Sequence, residues 1–238
     1  MTISAIARHF LNLIYPLHCA SCSAPLEAAN KAGVCDKCLA RIRPNPRPNC
    51  RKCGRAADST RTCKECRTTK LYFNRAHSAC LYEGPLKEII HRFKYNGALV
   101  LAGPLSGLMI DFANNNPAVL ENIDLISYVP LGAKRLRKRT FNQSQLLAAR
   151  LAKEFGLELC HALSKPRPTR NQNELSRDER LSNLEGAFTV RQEVNITGMR
   201  ILLVDDVMTT GATLSECAKV LKASGAKEVR CLTLARGI

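Results

Sequence analysis

Two adjacent carboxylates, Asp205 and Asp206, follow the apolar run Ile201 to Val204. A turn rich in hydroxyls and glycine comes next: Met208, Thr209, Thr210, Gly211, Ala212 and Thr213. Adjacent carboxylates repel a phosphate but suit a vicinal diol, whose two O–H groups need acceptors. The turn suits the phosphate. Gly211 lacks a Cβ, so backbone can curl close to a ligand. Unpaired N–H groups at a helix start carry partial positive charge, and the threonines add hydroxyl donors. A diol on one side and a phosphate on the other describe a ribose 5-phosphate. The plain alternative is a strand–turn–helix with a solvated Asp pair.

The elements that must position these groups are readable around them. Ile201 to Val204 reads as a buried parallel strand. Leu214, Cys217, Ala218, Leu221 and Lys222 recur at helical spacing. Ligands bind where such a strand hands over to a helix in an open α/β sheet. Neither GxxxxGK[ST] nor GxGxxG occurs, which argues against a P-loop or dinucleotide fold.

A second chemistry-bearing group is cationic. Lys134, Arg135, Arg137, Lys138 and Arg139 crowd the segment Leu131 to Thr140. That segment follows the apolar run Ile123 to Val129 and is read as a basic loop. Such a loop can neutralise a pyrophosphate or several phosphates of a nucleic-acid strand. The alternative is a solvated charge run. Beyond the strand candidate Leu157 to Leu163 lies a polar stretch with Lys165, Arg167, Thr169 and Gln172. It is poor in core residues and is expected to act as a flexible lid that excludes water.

The third group is sulfur. The chain has 12 cysteines in 238 residues. Eight form CxxC pairs: Cys19/Cys22, Cys35/Cys38, Cys50/Cys53 and Cys63/Cys66. One CxxC presents two thiolates at a spacing that fits two corners of a tetrahedron, so four pairs make two structural zinc sites. Consecutive pairing gives two zinc ribbons joined by the stiff, proline-rich segment Arg43 to Pro48. Crossed pairing, first with third and second with fourth, fits the spacing equally. His18 is read as a bystander. Cys80, Cys160, Cys217 and Cys231 are isolated on apolar patterns and expected as small core residues.

The remaining sequence predicts a strand over 76–81, a helix over 85–93 and a polar break at Lys94 to Gly97 with a glycine C-cap. Helices follow over 97–112, after Phe141-Asn142-Gln143-Ser144, and over 177–184. A last strand runs over 228–235. Ile3, Ile6, Ala7, Phe10, Leu11 and Ile14 keep the spacing of a short amphipathic helix. It lacks the basic n-region of a signal peptide. No run of about 18 apolar residues suggests a transmembrane segment. The expected organisation is a cysteine module over 1–70 and a larger α/β domain over 71–238.

Composition agrees. The chain is 45% hydrophobic, as a folded protein should be, and its formal charge is +16. Two zinc–thiolate sites would lower that to about +12. The excess favours anionic partners. Aromatic residues make up 5%, which argues against a long base-stacking platform.

These pieces in this order resemble the ComF family of competence-associated proteins. The resemblance rests on the four CxxC pairs, Lys94-Tyr95-x-Gly97, Val129-Pro130-Leu131 and the Arg-rich segment into Phe141-Asn142-Gln143. It continues through Arg167-x-Thr169-x-x-Gln172, Arg180-x-x-Asn183, Gly186-Ala187-Phe188 and Val204 to Thr213. Thr140 departs from it, where glycine is expected. The 201–213 stretch by itself resembles the motif of type I phosphoribosyltransferases that binds phosphoribosyl pyrophosphate (PRPP). The resemblance implies a type I phosphoribosyltransferase-like parallel sheet flanked by helices, preceded by a double zinc ribbon. It implies that Asp205 and Asp206 hold the ribose hydroxyls, with Met208 to Thr213 around the 5′-phosphate and Mg²⁺ on the pyrophosphate. It further implies a bacterial cytoplasmic protein of DNA uptake and natural transformation, with single-stranded DNA and a competence or helicase protein as partners. Transfer of the phosphoribosyl group to an acceptor is the alternative function. Any hood for an acceptor is expected from the cysteine module or the residues just after it.

Overall fold

The computed structural model describes residues 17–27, 30, 32–59, 61–95, 98–167 and 184–237. The predicted N-terminal helix, Asn96 and Gly97, Thr169 and Gln172, and the predicted helix start at 177 lie outside these residues.

The framework is a five-stranded sheet of β1 (Arg75–Leu81), β2 (Leu125–Tyr128), β3 (Glu158–Leu159), β6 (Arg200–Met208) and β7 (Glu228–Arg236). The order is β1-β7-β6-β2-β3, and every neighbouring pair is parallel. Ile201 to Val204 in β6 are fully buried, as a continuous apolar run requires when both faces of a strand are covered. Leu202 and Val204 enter one core, with α3 (Gly84–Tyr95), α4 (Ala102–Asn114) and α6 (Gln143–Phe155). Ile201 and Leu203 enter the other, with α7 (Ala212–Ala223). All four isolated cysteines are buried in these cores.

Two expectations need correction. The segment around Arg135 is not a loop: α5 spans Ala133–Arg139. Alanine, leucine, lysine and arginine are strong helix formers, and their propensity prevails over mutual charge repulsion. The predicted strand over 157–163 is broken. Glu158–Leu159 pairs with β2, whereas β4 (Leu163–Ser164) pairs antiparallel with β5 (Thr189–Val190). The amide of Cys160 still donates to Ile126, but the carbonyl of Ala162 accepts from Arg191, so the chain changes partner between them.

The cysteine-rich segment wraps the β1 edge and includes the short helices α1 (Asp36–Leu39) and α2 (Lys64–Thr68). Asn45 N–H donates to Ala79 O at 2.9 Å and Leu81 N–H donates to Arg43 O at 2.9 Å. The proline-rich segment thus covers an edge that would otherwise offer free backbone groups. Cys19 and Cys38 pack into the α3–α4–α6 core, while Cys50 and Cys53 pack into the α7 core. Among the described residues, no helix is long and apolar enough to cross a membrane.

Candidate functional site

The strand β6 does not stop at Val204 but continues through both acids to Met208. Because a strand alternates its faces, Asp205 and Asp206 have different partners. Asp205 Oδ1 accepts from Ser144 Oγ at 2.7 Å and from the Asp206 amide at 2.9 Å. Ser144 is held there because the N-cap Asn142 accepts from its amide at 3.0 Å. Asp206 Oδ2 lies 2.9 Å from Lys94 Nζ, on the last turn of α3. Burial, with the neighbouring Asp206 charge, pushes the Asp205 carboxyl up to about 7. Burial disfavours the Lys94 charge, but Asp206 outweighs it and raises the ammonium above its ordinary value.

Opposite the acids the chain turns into α7. Gly211 has φ +81°, and a Cβ there would lie 2.6 Å from Met208 Cε. The left-handed backbone favours glycine, whereas the flexible end of Met208 could move aside for a Cβ. Met208 is buried beneath the turn and does not line the cleft. Thr210 Oγ1 accepts from the Ala212 amide at 3.3 Å. Thr209 and Thr213 line the cleft; Thr210, Gly211 and Ala212 shape the turn behind them.

The cations sort by helix face. Arg135 and Arg139, one turn apart on α5, face a cleft of about 380 Å³ shared with Asp205, Asp206, Thr209, Thr213 and Lys165. Lys134, Arg137 and Lys138 are exposed and do not line the cleft, although Lys138 Nζ lies 5.9 Å from the centre of the Tyr95 ring. Arg139 donates to Gln143 Oε1 and to the Tyr95 hydroxyl, both at 3.1 Å. Burial and the Arg139 charge depress Arg135, and burial with Arg135 pulls Lys165 down to about 8. Like charges gathered in a half-closed cleft favour an anion there. Arg167 is exposed and donates to the Glu185 carbonyl at 2.5 Å. Thr169 and Gln172 lie outside the described residues.

The cleft also contains groups whose role local sequence does not show. Lys94 and Tyr95 stand in a stretch that reads as a polar break, and Ser144 in one that reads only as a helix start. Their presence in Lys94-Tyr95-x-Gly97 and beside Phe141-Asn142-Gln143 was the available signal. Tyr82, His91, Tyr95 and Phe188 also line the cleft. The His91 and Tyr95 rings lie 4.9 Å apart. The first three come from the residues just after the cysteine module; none of the cysteine pairs lines the cleft.

The eight paired cysteines form two groups, Cys19/Cys22/Cys35/Cys38 and Cys50/Cys53/Cys63/Cys66. The pairing is therefore consecutive, and the crossed alternative is excluded. All sulfurs within a group lie within 4.8 Å of one another. Cys22 and Cys35 Sγ are 3.8 Å apart and Cys53 and Cys63 Sγ are 3.9 Å apart. A tetrahedron with Zn–S bonds of about 2.3 Å has edges of about 3.8 Å, so the donors fit structural zinc. Amides of Ser21 and Cys35 donate to Cys19 Sγ, and that of Cys63 donates to Cys50 Sγ. Burial opposes the Cys19 and Cys50 thiolates, but such donors outweigh it and bring both down to about 6.

Comparison with known proteins finds two matching domain families. A model described as double zinc ribbon domain matches residues 10–67, and one described as phosphoribosyl transferase domain matches 142–238. The chain is 32% identical over 228 residues to the DNA utilization protein YhgH of Salmonella typhimurium, covering 94% of this chain and 99% of that one. It is 29% identical over 227 residues to competence protein F of Haemophilus influenzae, covering 93% and 98%. It is also 29% identical over 204 residues to competence protein ComFC of Streptococcus pneumoniae, covering 85% and 86%.

Proposed function

The chain belongs to the ComF family, and from that premise we propose that it serves DNA uptake or utilisation by binding PRPP in the cleft at the end of β6. The observation that carries this reading is the meeting, in one cleft, of a carboxylate pair with a glycine turn and the cations Arg135, Arg139 and Lys165. Asp205 and Asp206 accept the ribose hydroxyls. Backbone amides of the Thr209–Thr213 turn, with the Thr209 and Thr213 hydroxyls, take the 5′-phosphate. Arg135, Arg139 and Lys165 face the pyrophosphate. Lys165 lines the cleft and, with Arg167, leads into the segment we propose as a lid.

A raised Asp205 carboxyl beside Asp206 favours a nearby cation, which suits Mg²⁺ carried in on the pyrophosphate. When bound, Mg²⁺ neutralises that leaving group. Lys94 holds Asp206 in place and is freed to meet an incoming oxygen when the diol arrives. Ser144 fixes the Asp205 carboxyl so that its second oxygen faces the cleft. The outer cations Lys134, Arg137 and Lys138 track the phosphates of single-stranded DNA, which joins sugar-phosphate binding to the DNA role of the relatives. We place the protein in the cytoplasm, where PRPP is made, with a competence or helicase protein as a further partner.

The aromatic rings of Tyr82, His91 and Tyr95 lining the cleft favour a second reading, phosphoribosyl transfer to an acceptor. Asp205 and Asp206 would then hold the diol while C1 gains positive charge. Incubation with PRPP, Mg²⁺ and candidate acceptors separates the two. Pyrophosphate release that depends on an acceptor supports transfer, and tight PRPP binding without release supports a binding protein.

A further inference from the structure

Arg236, the last residue of β7, is 3% exposed. Its guanidinium reaches two places that the sequence keeps far apart. Nη1 donates to the Met208 carbonyl at 3.0 Å and to the Thr209 carbonyl in a shorter contact. Nη2 donates to Cys53 Sγ at 3.9 Å. Among the described residues no carboxylate forms an ion pair with Arg236. A buried cation requires a compensating charge. Four thiolates around one zinc ion carry a net charge of −2, and Cys53 belongs to such a group.

Further contacts join the same two regions. Lys52, between Cys50 and Cys53, donates to the Phe73 carbonyl. The Phe73 ring lies 3.6 Å from the Cβ position of Gly211. The Tyr72 amide donates to Ser215 Oγ at 3.1 Å, on the first turn of α7. Cys50 and Cys53 also share a core with Met208, Ala212 and Leu214. The first cysteine group packs into the opposite core, with Leu86, Ile89 and Phe93.

We propose that Arg236 is a positioning residue through which the second cysteine group, when it holds its metal, sets the shape of the Met208–Thr213 turn. The two metal centres are therefore unequal. The first secures the α3 side of the sheet. The second acts as the anion that keeps Arg236 buried and bonded to the turn's carbonyls. Loss of its metal removes the counter-charge and releases the turn. The consequence for PRPP affinity rests on the proposed function; the structural coupling does not.

The test is hydrogen exchange of the backbone amides from Thr209 to Leu214 in the zinc-loaded full chain. Arg236→Gln should speed their exchange by about tenfold while both zinc ions remain bound. Unchanged exchange in a variant that retains both ions overturns the proposal. Should that variant fail to fold, the unmodified chain decides. Zinc is withdrawn stepwise with a chromogenic chelator, and exchange is followed at the turn and in each cysteine group. Exchange at the turn should rise in step with loss from Cys50/Cys53/Cys63/Cys66 alone. A turn that follows neither ion, or both alike, overturns the coupling. A chain that behaves as expected here but binds no PRPP contradicts the proposed function and leaves the coupling standing.

Discussion

Lys94 Nζ lies 2.9 Å from Asp206 Oδ2 and so ties the last turn of α3 to the cleft end of β6. Their side chains are 18% and 11% exposed, so removing one partner leaves a largely desolvated charge. Lys94→Met should destabilise the fold by about 2 kcal/mol, after allowance for the water that reaches both groups. A double-mutant cycle with Asp206→Asn, read from urea midpoints, checks this. A coupling energy near zero would show that the pair does not brace the site.

Asp205 is raised to about 7 by burial and by Asp206. Its folded value lies above its unfolded value, so its ionisation costs stability as pH rises from about 4 to about 7. Ligand binding has the opposite sign, because only the ionised carboxylate can accept from both hydroxyls. PRPP affinity in Mg²⁺ should fall by up to about tenfold per pH unit below 7, with proton release on binding at pH 6. Calorimetry in two buffers of different ionisation enthalpy measures both. Proton uptake on binding at pH 6 would contradict the assignment.

Thr140 caps α5 with φ +65°. A β-branched residue is strained in that region. The resemblance led to glycine at this position, and the backbone gives the physical reason. Thr140→Gly should stabilise the fold by about 1 kcal/mol, the relieved strain exceeding the entropy added to the unfolded chain. A lowered urea midpoint would mean that the Thr140 Oγ1 contact with the Arg139 carbonyl, 2.6 Å long, outweighs the strain.

Local pattern carried much of this molecule. Ile201 to Thr213 revealed strand, acids, turn and helix because each feature depends on neighbouring residues. Four CxxC pairs revealed two metal sites, but not which pairs join, since pairing is a tertiary event. The ion pair of Lys94 with Asp206 was hidden for the same reason, as was the bond from Ser144 to Asp205. Leu157 to Leu163 looked like one strand because an apolar run cannot specify its partners. The segment of α5 reads as a basic loop because five of the ten residues from Leu131 to Thr140 are cationic, while the helix propensity of its alanine, leucine, lysine and arginine decides the fold.

The outward cations Lys134, Arg137 and Lys138 are exposed on α5, whereas Arg135 and Arg139 face the cleft. If the outer face tracks single-stranded DNA, log affinity should fall with log salt by about 0.7 per neutralised phosphate. Replacing all three outer cations by glutamine should flatten that slope by about 2 and leave PRPP affinity unchanged. Fluorescence anisotropy of a labelled oligonucleotide provides the measurement. An unchanged slope would move the DNA surface elsewhere.

The central claim is that Asp205 and Asp206 hold the sugar of PRPP opposite the Gly211 turn. Calorimetric titration of PRPP and Mg²⁺ into the zinc-loaded protein, and into the Asp205→Asn/Asp206→Asn variant, tests it most directly. Saturable binding is expected for the unmodified chain, and its loss in a variant that keeps two zinc ions and a folded circular dichroism spectrum. Equal PRPP affinity in the two proteins would contradict it.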